Sequence, residues 1–133
     1  ARLQQIPFLG LCLGLHCATI EVARDARRPP AANSAEFYTQ SPHKVIDLMD
    51  GQREVVEMGG TMRLGAYPAK LAPGSLVREL YGEEVVYERH RHRYEVSNHY
   101  RRRLVEGGLV MSGSSPADRL VEFIDIPREV HAY

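Results

Sequence analysis

A cysteine flanked by two glycines is the feature of this sequence best suited to chemistry. Cys12 lies in the segment Gly10-Leu11-Cys12-Leu13-Gly14, which has the Gly-x-nucleophile-x-Gly pattern of a nucleophile elbow. A nucleophile on so tight a turn has a strained backbone, and glycines two residues away leave the room that the turn needs. A thiolate there can attack a carbonyl carbon while nearby backbone N–H groups stabilise the oxyanion. The pattern predicts that Cys12 is a catalytic nucleophile.

The residues around Cys12 predict the strand-turn-helix context that such an elbow requires. An apolar run over 6–11 indicates a strand, and apolar residues over 13–23 recur with partial helical spacing before Pro29-Pro30. The N-terminus of that helix would point toward the sulfur and favour a negative charge there. The alternative is an inert core cysteine, the more common role of a cysteine in apolar sequence. We expect that packing role for Cys17, which lies inside the helix.

The remainder of the chain alternates predicted strands and helices. Strand patterns cover 45–49, 62–71, 85–94, 109–112 and 119–126, helix patterns cover 75–81 and 98–106, and 27–40 has the composition of a loop. Pro68 indicates that its strand lies at an edge or contains a bulge. This mixture, without internal repeats, predicts one domain of the α/β or α+β class over residues 1–133. The abrupt ends of the sequence lead us to expect a piece of a longer protein.

Composition argues against several classes of protein. The chain has 17 basic and 17 acidic residues, so no overall electrostatic field favours nucleic acid or an anionic membrane. No stretch approaches the roughly 20 apolar residues of a membrane span. The two cysteines are too few and too close for a disulfide framework, so we expect free thiols in a reducing cytoplasm.

The segment Arg89-His90-Arg91-His92-Arg93-Tyr94 is basic and includes an aromatic residue. It could be a nucleic-acid patch. On a strand, however, Arg89, Arg91 and Arg93 share one face. Glutamates lie nearby at Glu83, Glu84, Glu88 and Glu95. We therefore favour an ion-pair network over nucleic-acid binding. We predict no metal site, because no cysteine or carboxylate cluster accompanies the histidines at ligand spacing.

Six segments, in this order, resemble the CTP synthase family of the glutamine amidotransferases, which use a Cys-His-Glu triad. They are 10–15, 33–37, 45–49, 59–65, 88–96 and 112–116. The resemblance covers nearly the whole chain. It implies an α/β fold with an open, mostly parallel sheet, flanking helices and a strand-nucleophile-helix elbow, as part of a larger multidomain enzyme.

The resemblance also implies roles for five residues in glutamine hydrolysis. Cys12 forms the glutamyl thioester, and the Leu13 amide contributes to the oxyanion site. Glu36 holds the substrate's ammonium and Arg93 its carboxylate, which suits an acceptor and a forked donor. Without the family pattern, Glu36 would be interpreted as a solvated loop residue. His16 stands where the family usually has a glutamine that contacts the substrate; it can still donate one hydrogen bond, and it would introduce titration near neutral pH.

The rest of the implied chemistry involves residues that this sequence does not contain. By resemblance, the ammonia passes to a synthetase domain that uses ATP and magnesium to convert UTP to CTP, in a cytoplasmic homotetramer. The catalytic histidine and glutamate belong to a His-Pro-Glu segment expected beyond Tyr133, and an oxyanion loop is expected before the present N-terminus. We assign His131 no catalytic role. We expect the chain alone to lack turnover, and an amidotransferase-like ligand-binding or assembly module is the alternative.

Overall fold

A computed structural model of the protein describes residues 1–25, 30–49 and 62–131. A short 3-10 helix at Arg2–Gln4 comes first. The helices that follow are α1 (Leu13–Arg24), α2 (Leu76–Tyr81) and α3 (Asn98–Glu106). The strands are β1 (Ala32–Ser34), β2 (His43–Leu48), β3 (Arg63–Leu71), β4 (Val85–His92), β5 (Tyr94–Val96), β6 (Val110–Ser114) and β7 (Val121–Asp125). The predicted mixed α/β class is confirmed.

The seven described strands form two sheets. One has the order β1-β2-β5, in which β1 and β2 are parallel and β2 and β5 antiparallel. The other has the order β4-β3-β6-β7 and is antiparallel throughout. Among the described strands only β1 and β2 pair in parallel, so the expectation of a mostly parallel sheet is wrong for this part of the chain. The short turn 115–120 allows only a hairpin between β6 and β7.

Residues 6–11, predicted as the strand before Cys12, form no strand. None of the described strands pairs with them, and an isolated segment without a neighbour has no ladder hydrogen bonds to fix it. Their apolar side chains are accordingly exposed, with Leu9 at 83%. The helix half of the predicted strand-nucleophile-helix elbow is confirmed within the described residues, and the strand half is not.

One strand lies inside the stretch predicted as a loop. β1 at Ala32–Ser34 pairs with β2. The composition, rich in Pro, Ala, Asn and Ser, predicted a loop here, but backbone hydrogen bonds to β2 make these residues a strand. Residues 27–29 of the predicted loop lie outside the described residues. The expectation for Pro68 is confirmed within the described residues, where β3 pairs with β6 only at Lys70 and Leu71 and has no second neighbour at Pro68.

α2 begins and ends as its capping residues predict, and α3 ends at the predicted glycines. Ser75 caps α2, its Oγ accepting a hydrogen bond of 3.3 Å from the Arg78 amide, and Gly82 ends the helix with φ 70°. α3 ends at Glu106, before Gly107 and Gly108. In the part of the chain that the structure describes, no helix is long and apolar enough to span a membrane.

The main core lies between α1, α3 and the β1-β2-β5 sheet. Its fully buried members include Val45, Ile46, Val96, Leu104 and Leu109. α1 contributes Ile20 and Ala23 to this core and contacts β1, β2 and β5. Packing of this helix against the sheet fixes the orientation of its N-terminus, where Cys12 lies.

Candidate active site

Cys12 is the residue before the first turn of α1, and its backbone is strained. Its φ of 52° and ψ of −108° place a non-glycine residue at positive φ. Such a backbone conformation costs a residue with a side chain about 1–3 kcal/mol, and it is concentrated at functional sites. The side chain is exposed and the thiol is free. The predicted unusual turn at Cys12 is confirmed.

The two glycines of the motif differ in how closely they are packed. A Cβ on Gly10 would lie 2.7 Å from the carbonyl carbon of Gly14 and 2.8 Å from its oxygen. A Cβ on Gly14 would meet nothing within 4 Å among the described residues. Only Gly10 therefore supports the sequence argument that the motif's glycines are needed for space.

The Leu13 amide is placed to donate to a ligand. The amides of Gly14, Leu15 and His16 donate to carbonyls of Leu11 or Cys12, at 2.9–3.4 Å. Among the described residues, no backbone hydrogen bond uses the Leu13 N–H. A free N–H beside the sulfur, at the positive end of a helix, suits an oxyanion. The role implied for Leu13 stays a prediction, with this amide in its support.

α1 buries His16 and exposes Cys17. His16, Thr19, Ile20 and Ala23 form the buried stripe at helical spacing. Cys17 lies off this stripe and is exposed, so our expectation that it packs in the core is wrong. It lines a cavity of about 610 Å³ with Glu21 and Phe37, among others.

His16 is neutral in this environment. It is 5% exposed, and burial first, then the neighbouring His92, lowers the pKa of His16 from 6.5 to about 4. The expectation of titration near neutral pH is therefore wrong, because desolvation disfavours the imidazolium. Among the described residues, the buried Nδ1 of His16 has no hydrogen-bond partner.

Arg93 lies at the junction of β4 and β5, and it departs from the face that alternation predicts. Arg89 and Arg91 are exposed, whereas Arg93 is half-buried with its Nε enclosed. The regular alternation ends because β4 stops at His92 and β5 starts at Tyr94. The His92 ring contacts the His16 ring edge-on, with centroids 6.1 Å apart. This contact places the junction that carries Arg93 against the first turns of α1.

Glu36 is exposed in the turn that follows β1. Its amide donates to Ser34 Oγ at 3.0 Å, and the Ala35 amide donates to Ile46 O at 2.9 Å, which anchors the turn to β2. β1 contacts α1. The convergence of Glu36 and Arg93 on one cleft with Cys12 stays a prediction.

The ion-pair network expected between the arginines of the basic segment and the nearby glutamates stays a prediction, and the two histidines of the segment contact buried glutamates instead. His90 and His92 face inward, toward Glu122 and Glu95. The sequence analysis did not single out Glu122, or Arg63 that binds it. The available signal was a glutamate between Val121 and Phe123 in a strand pattern. No group of three or more His, Cys, Asp or Glu within the described ranges could hold a metal ion.

Comparison with known proteins places this chain in a family. The chain matches the family described as glutamine amidotransferase class-I over residues 1–133. It is 56% identical over 127 residues to a CTP synthase of Synechocystis sp., covering 96% of this chain and 23% of that protein. It is 57% identical over 137 residues to a CTP synthase of Saccharopolyspora erythraea, covering 100% of this chain and 24% of that protein.

A solved structure supports the same placement. The glutaminase domain of a Trypanosoma brucei CTPS with bound acivicin superposes with a TM-score of 0.85 at 37% identity, over 96% of this chain and 50% of that one. The chain spans 23–24% of the length of the curated relatives named above. From its family match, its relatives and its fold, this chain belongs to the class-I glutamine amidotransferase family.

Proposed function

We propose that this chain is the glutaminase part of a CTP synthase. It hydrolyses L-glutamine through a thioester on Cys12 and supplies ammonia for the ATP-dependent amination of UTP to CTP. The observation that carries the proposal is the strained Cys12 at the start of α1, with φ 52° and an exposed, free thiol. A strained, accessible nucleophile at a helix N-terminus is suited to acyl transfer.

The proposed reaction has two steps. Cys12 Sγ forms a bond to the side-chain amide carbon of glutamine, and the resulting oxyanion accepts a hydrogen bond from the Leu13 N–H. Collapse of this intermediate breaks the carbon–nitrogen bond, and the nitrogen leaves as ammonia after receiving a proton. A water then attacks the thioester, which releases glutamate and restores the thiol. The proton donor and the activator of this water are the histidine and glutamate that the family resemblance implies.

Selectivity for free glutamine requires recognition of both of its charged ends. In the proposal, Glu36 accepts from the ammonium and Arg93 donates to the carboxylate. The half-buried position of Arg93 favours this role, because a guanidinium partly removed from solvent binds a carboxylate more strongly than an exposed one. His16 takes the place of a substrate-contacting glutamine, and its unpartnered, buried Nδ1 supports a ligand contact.

The partners of the proposed reaction lie outside this chain. We place ATP and magnesium in a synthetase domain and assign no cofactor to residues 1–133. We further propose a homotetrameric enzyme in the cytoplasm, where the two free thiols of this chain would stay reduced.

CTP formation by the intact enzyme that contains this chain tests the proposal, with glutamine or ammonium as the nitrogen source. Cys12→Ala should abolish glutamine-dependent synthesis and leave ammonia-dependent synthesis intact, because only the first needs the thioester. Cys17→Ala is the matched control, and both rates should survive it. Glutamine binding without hydrolysis by the wild-type enzyme would instead favour the ligand-binding module.

A further inference from the structure

Five ionisable side chains meet in the protein interior next to Arg93. They come from four strands: Arg63 from β3, His90 and His92 from β4, Glu95 from β5 and Glu122 from β7. We call them the Glu122 cluster. Their side chains are between 2% and 17% exposed, with Glu122 the most buried.

Arg63 joins the two carboxylates of this cluster. Its Nη2 donates to one oxygen of Glu122 at 2.8 Å, and its Nη1 donates to the other at 3.2 Å. The same Nη1 donates to Glu95 at 3.2 Å. A bidentate guanidinium–carboxylate pair fixes the orientation as well as the distance of its partners. Glu122 is therefore tied to β3 in a defined geometry.

His90 links Glu122 to β4. Its Nδ1 lies 2.8 Å from the Glu88 carbonyl oxygen, and its Nε2 lies 2.8 Å from Glu122 Oε2. The carbonyl can only accept, so Nδ1 must donate to it. Glu122 thus holds the end of β4 as well as β3.

Two members of the cluster, His92 and Glu95, lie on either side of Arg93 in the sequence. His92, on one side of Arg93, has its Nδ1 3.3 Å from Glu95 Oε1 and 3.1 Å from the Tyr94 carbonyl oxygen. Glu95, on the other side, is bound by Arg63. Arg93 therefore lies on a short loop whose two sides are attached to one buried set of charges. The cluster also links the two sheets, because β5 belongs to one and β3, β4 and β7 belong to the other.

Net stability is a weak explanation for such an arrangement. Removing several charges from water costs several kcal/mol per ion, and hydrophobic replacements of buried ion pairs are often as stable or more so. Directional hydrogen bonds, in contrast, hold atoms in place to within a fraction of an ångström. The chief consequence of the Glu122 cluster is a fixed position for the β4–β5 junction.

We propose that Glu122 is a positioning residue for Arg93, holding it, through Arg63 and His90, where it can bind the carboxylate of glutamine. This inference rests on the proposed function, since it requires that Arg93 binds the substrate. Glu122 itself does not touch the substrate. Its loss would misplace Arg93 and weaken substrate binding without altering the thioester chemistry at Cys12.

Glu122→Gln in the intact enzyme tests this inference. Glutamine keeps the size of the side chain but lacks the charge that Arg63 and His90 bind. The KM for glutamine should rise about tenfold, within the range that misplacement of a binding group by about 1 Å produces. The glutamine-dependent kcat and the ammonia-dependent rate should each stay within about twofold. Glu106→Gln is the matched control, because Glu106 pairs with Arg102 on the exposed surface of α3 and should leave KM unchanged.

A double-variant cycle separates positioning from a general structural effect. If Glu122 acts through Arg93, Glu122→Gln should add nothing to the raised KM of Arg93→Ala. Independent, multiplicative effects in the double variant would overturn the inference, as would an unchanged KM in folded Glu122→Gln. A combined loss of glutamine- and ammonia-dependent activity with a lowered melting temperature would overturn it too.

One further variant, His90→Gln, and the Arg93→Ala variant alone cover the remaining outcomes. If Glu122→Gln does not fold, His90→Gln replaces it, since this change keeps the Arg63–Glu122 pair; it must raise KM, and an unchanged KM contradicts the inference. If Arg93→Ala itself leaves KM unchanged, the proposed substrate role of Arg93 fails. If Arg93→Ala raises KM and Glu122→Gln does not, only the positioning inference fails.

Discussion

The α-carbon of Gly10 faces the backbone of Gly14, so that a Cβ at position 10 would lie 2.7 Å from the Gly14 carbonyl carbon. The carbonyl atoms that this Cβ would meet belong to the backbone of Gly14, in the first turn of α1. That backbone cannot shift without moving Cys12 as well. Gly10→Ala should lower the glutamine-dependent rate of the intact enzyme at least 100-fold and spare ammonia-dependent synthesis. Gly14→Ala meets open space among the described residues and should stay within about fivefold of the wild type. Similar losses in both variants would contradict this account of the turn.

Arg93→Lys tests the forked donor at the β4–β5 junction. Lysine keeps the charge but loses bidentate binding of a carboxylate, so the KM for glutamine should rise about tenfold while ammonia-dependent synthesis is unchanged. Arg91→Lys, two residues earlier on an exposed face, is the matched control. Steady-state kinetics with both nitrogen sources provide the measurement, and equal KM values for the two variants would remove Arg93 from the site.

Local sequence signals predicted most of the helices and strands and the strained turn at Cys12, because their causes are local. The glycine-flanked cysteine predicted the strained turn, and Ser75 with Gly82 predicted the bounds of α2. The apolar run 6–11 failed as a strand, because strand formation depends on a neighbour that local sequence does not reveal. The exposed Cys17 was missed because its environment depends on which stripe of α1 meets the sheet.

The Glu122 cluster could not be predicted for a different reason. Its members come from four strands, with Arg63 and Glu122 separated by 59 positions. Alternation indicated that His90 and His92 share a face, but it did not indicate which side chains that face meets. The half-burial of Arg93 likewise follows from the break between β4 and β5, which no glycine or proline marks.

His16 should make α1 less stable in acid. Its pKa is about 4 in the folded state against an ordinary 6.5, so its stabilising contribution is complete above pH 6.5 and is lost as pH falls to 4. The loss amounts to roughly 3 kcal/mol. His16→Gln lacks this titration. Hydrogen exchange of α1 at pH 7, 5.5 and 4 should show the opening free energy of the wild type falling relative to the variant. A constant difference would show that His16 titrates normally.

Glu95 should make β5 less stable as the pH rises, which is the opposite pH dependence. Burial, helped by the nearby Glu122 carboxylate and opposed by Arg63, raises the pKa of Glu95 from 4.5 to about 7. The folded state therefore holds this proton more tightly than the unfolded state, and the contribution to stability is lost as pH rises from 4.5 to 7. We expect a decline of roughly 3 kcal/mol relative to Glu95→Gln. Hydrogen exchange of β5 over this range measures it, and a difference that grows with pH would refute the shift.

In the proposed reaction, Cys12 is the residue that attacks glutamine. Both cysteines are free and exposed, so accessibility alone cannot select between them, and Cys17 serves as an internal control. Intact enzyme treated with a glutamine-analogue electrophile, digested and analysed by mass spectrometry should carry the label on Cys12 alone, and excess glutamine should prevent the labelling. Label on Cys17 instead, or equal labelling of both thiols that glutamine does not prevent, would contradict the account.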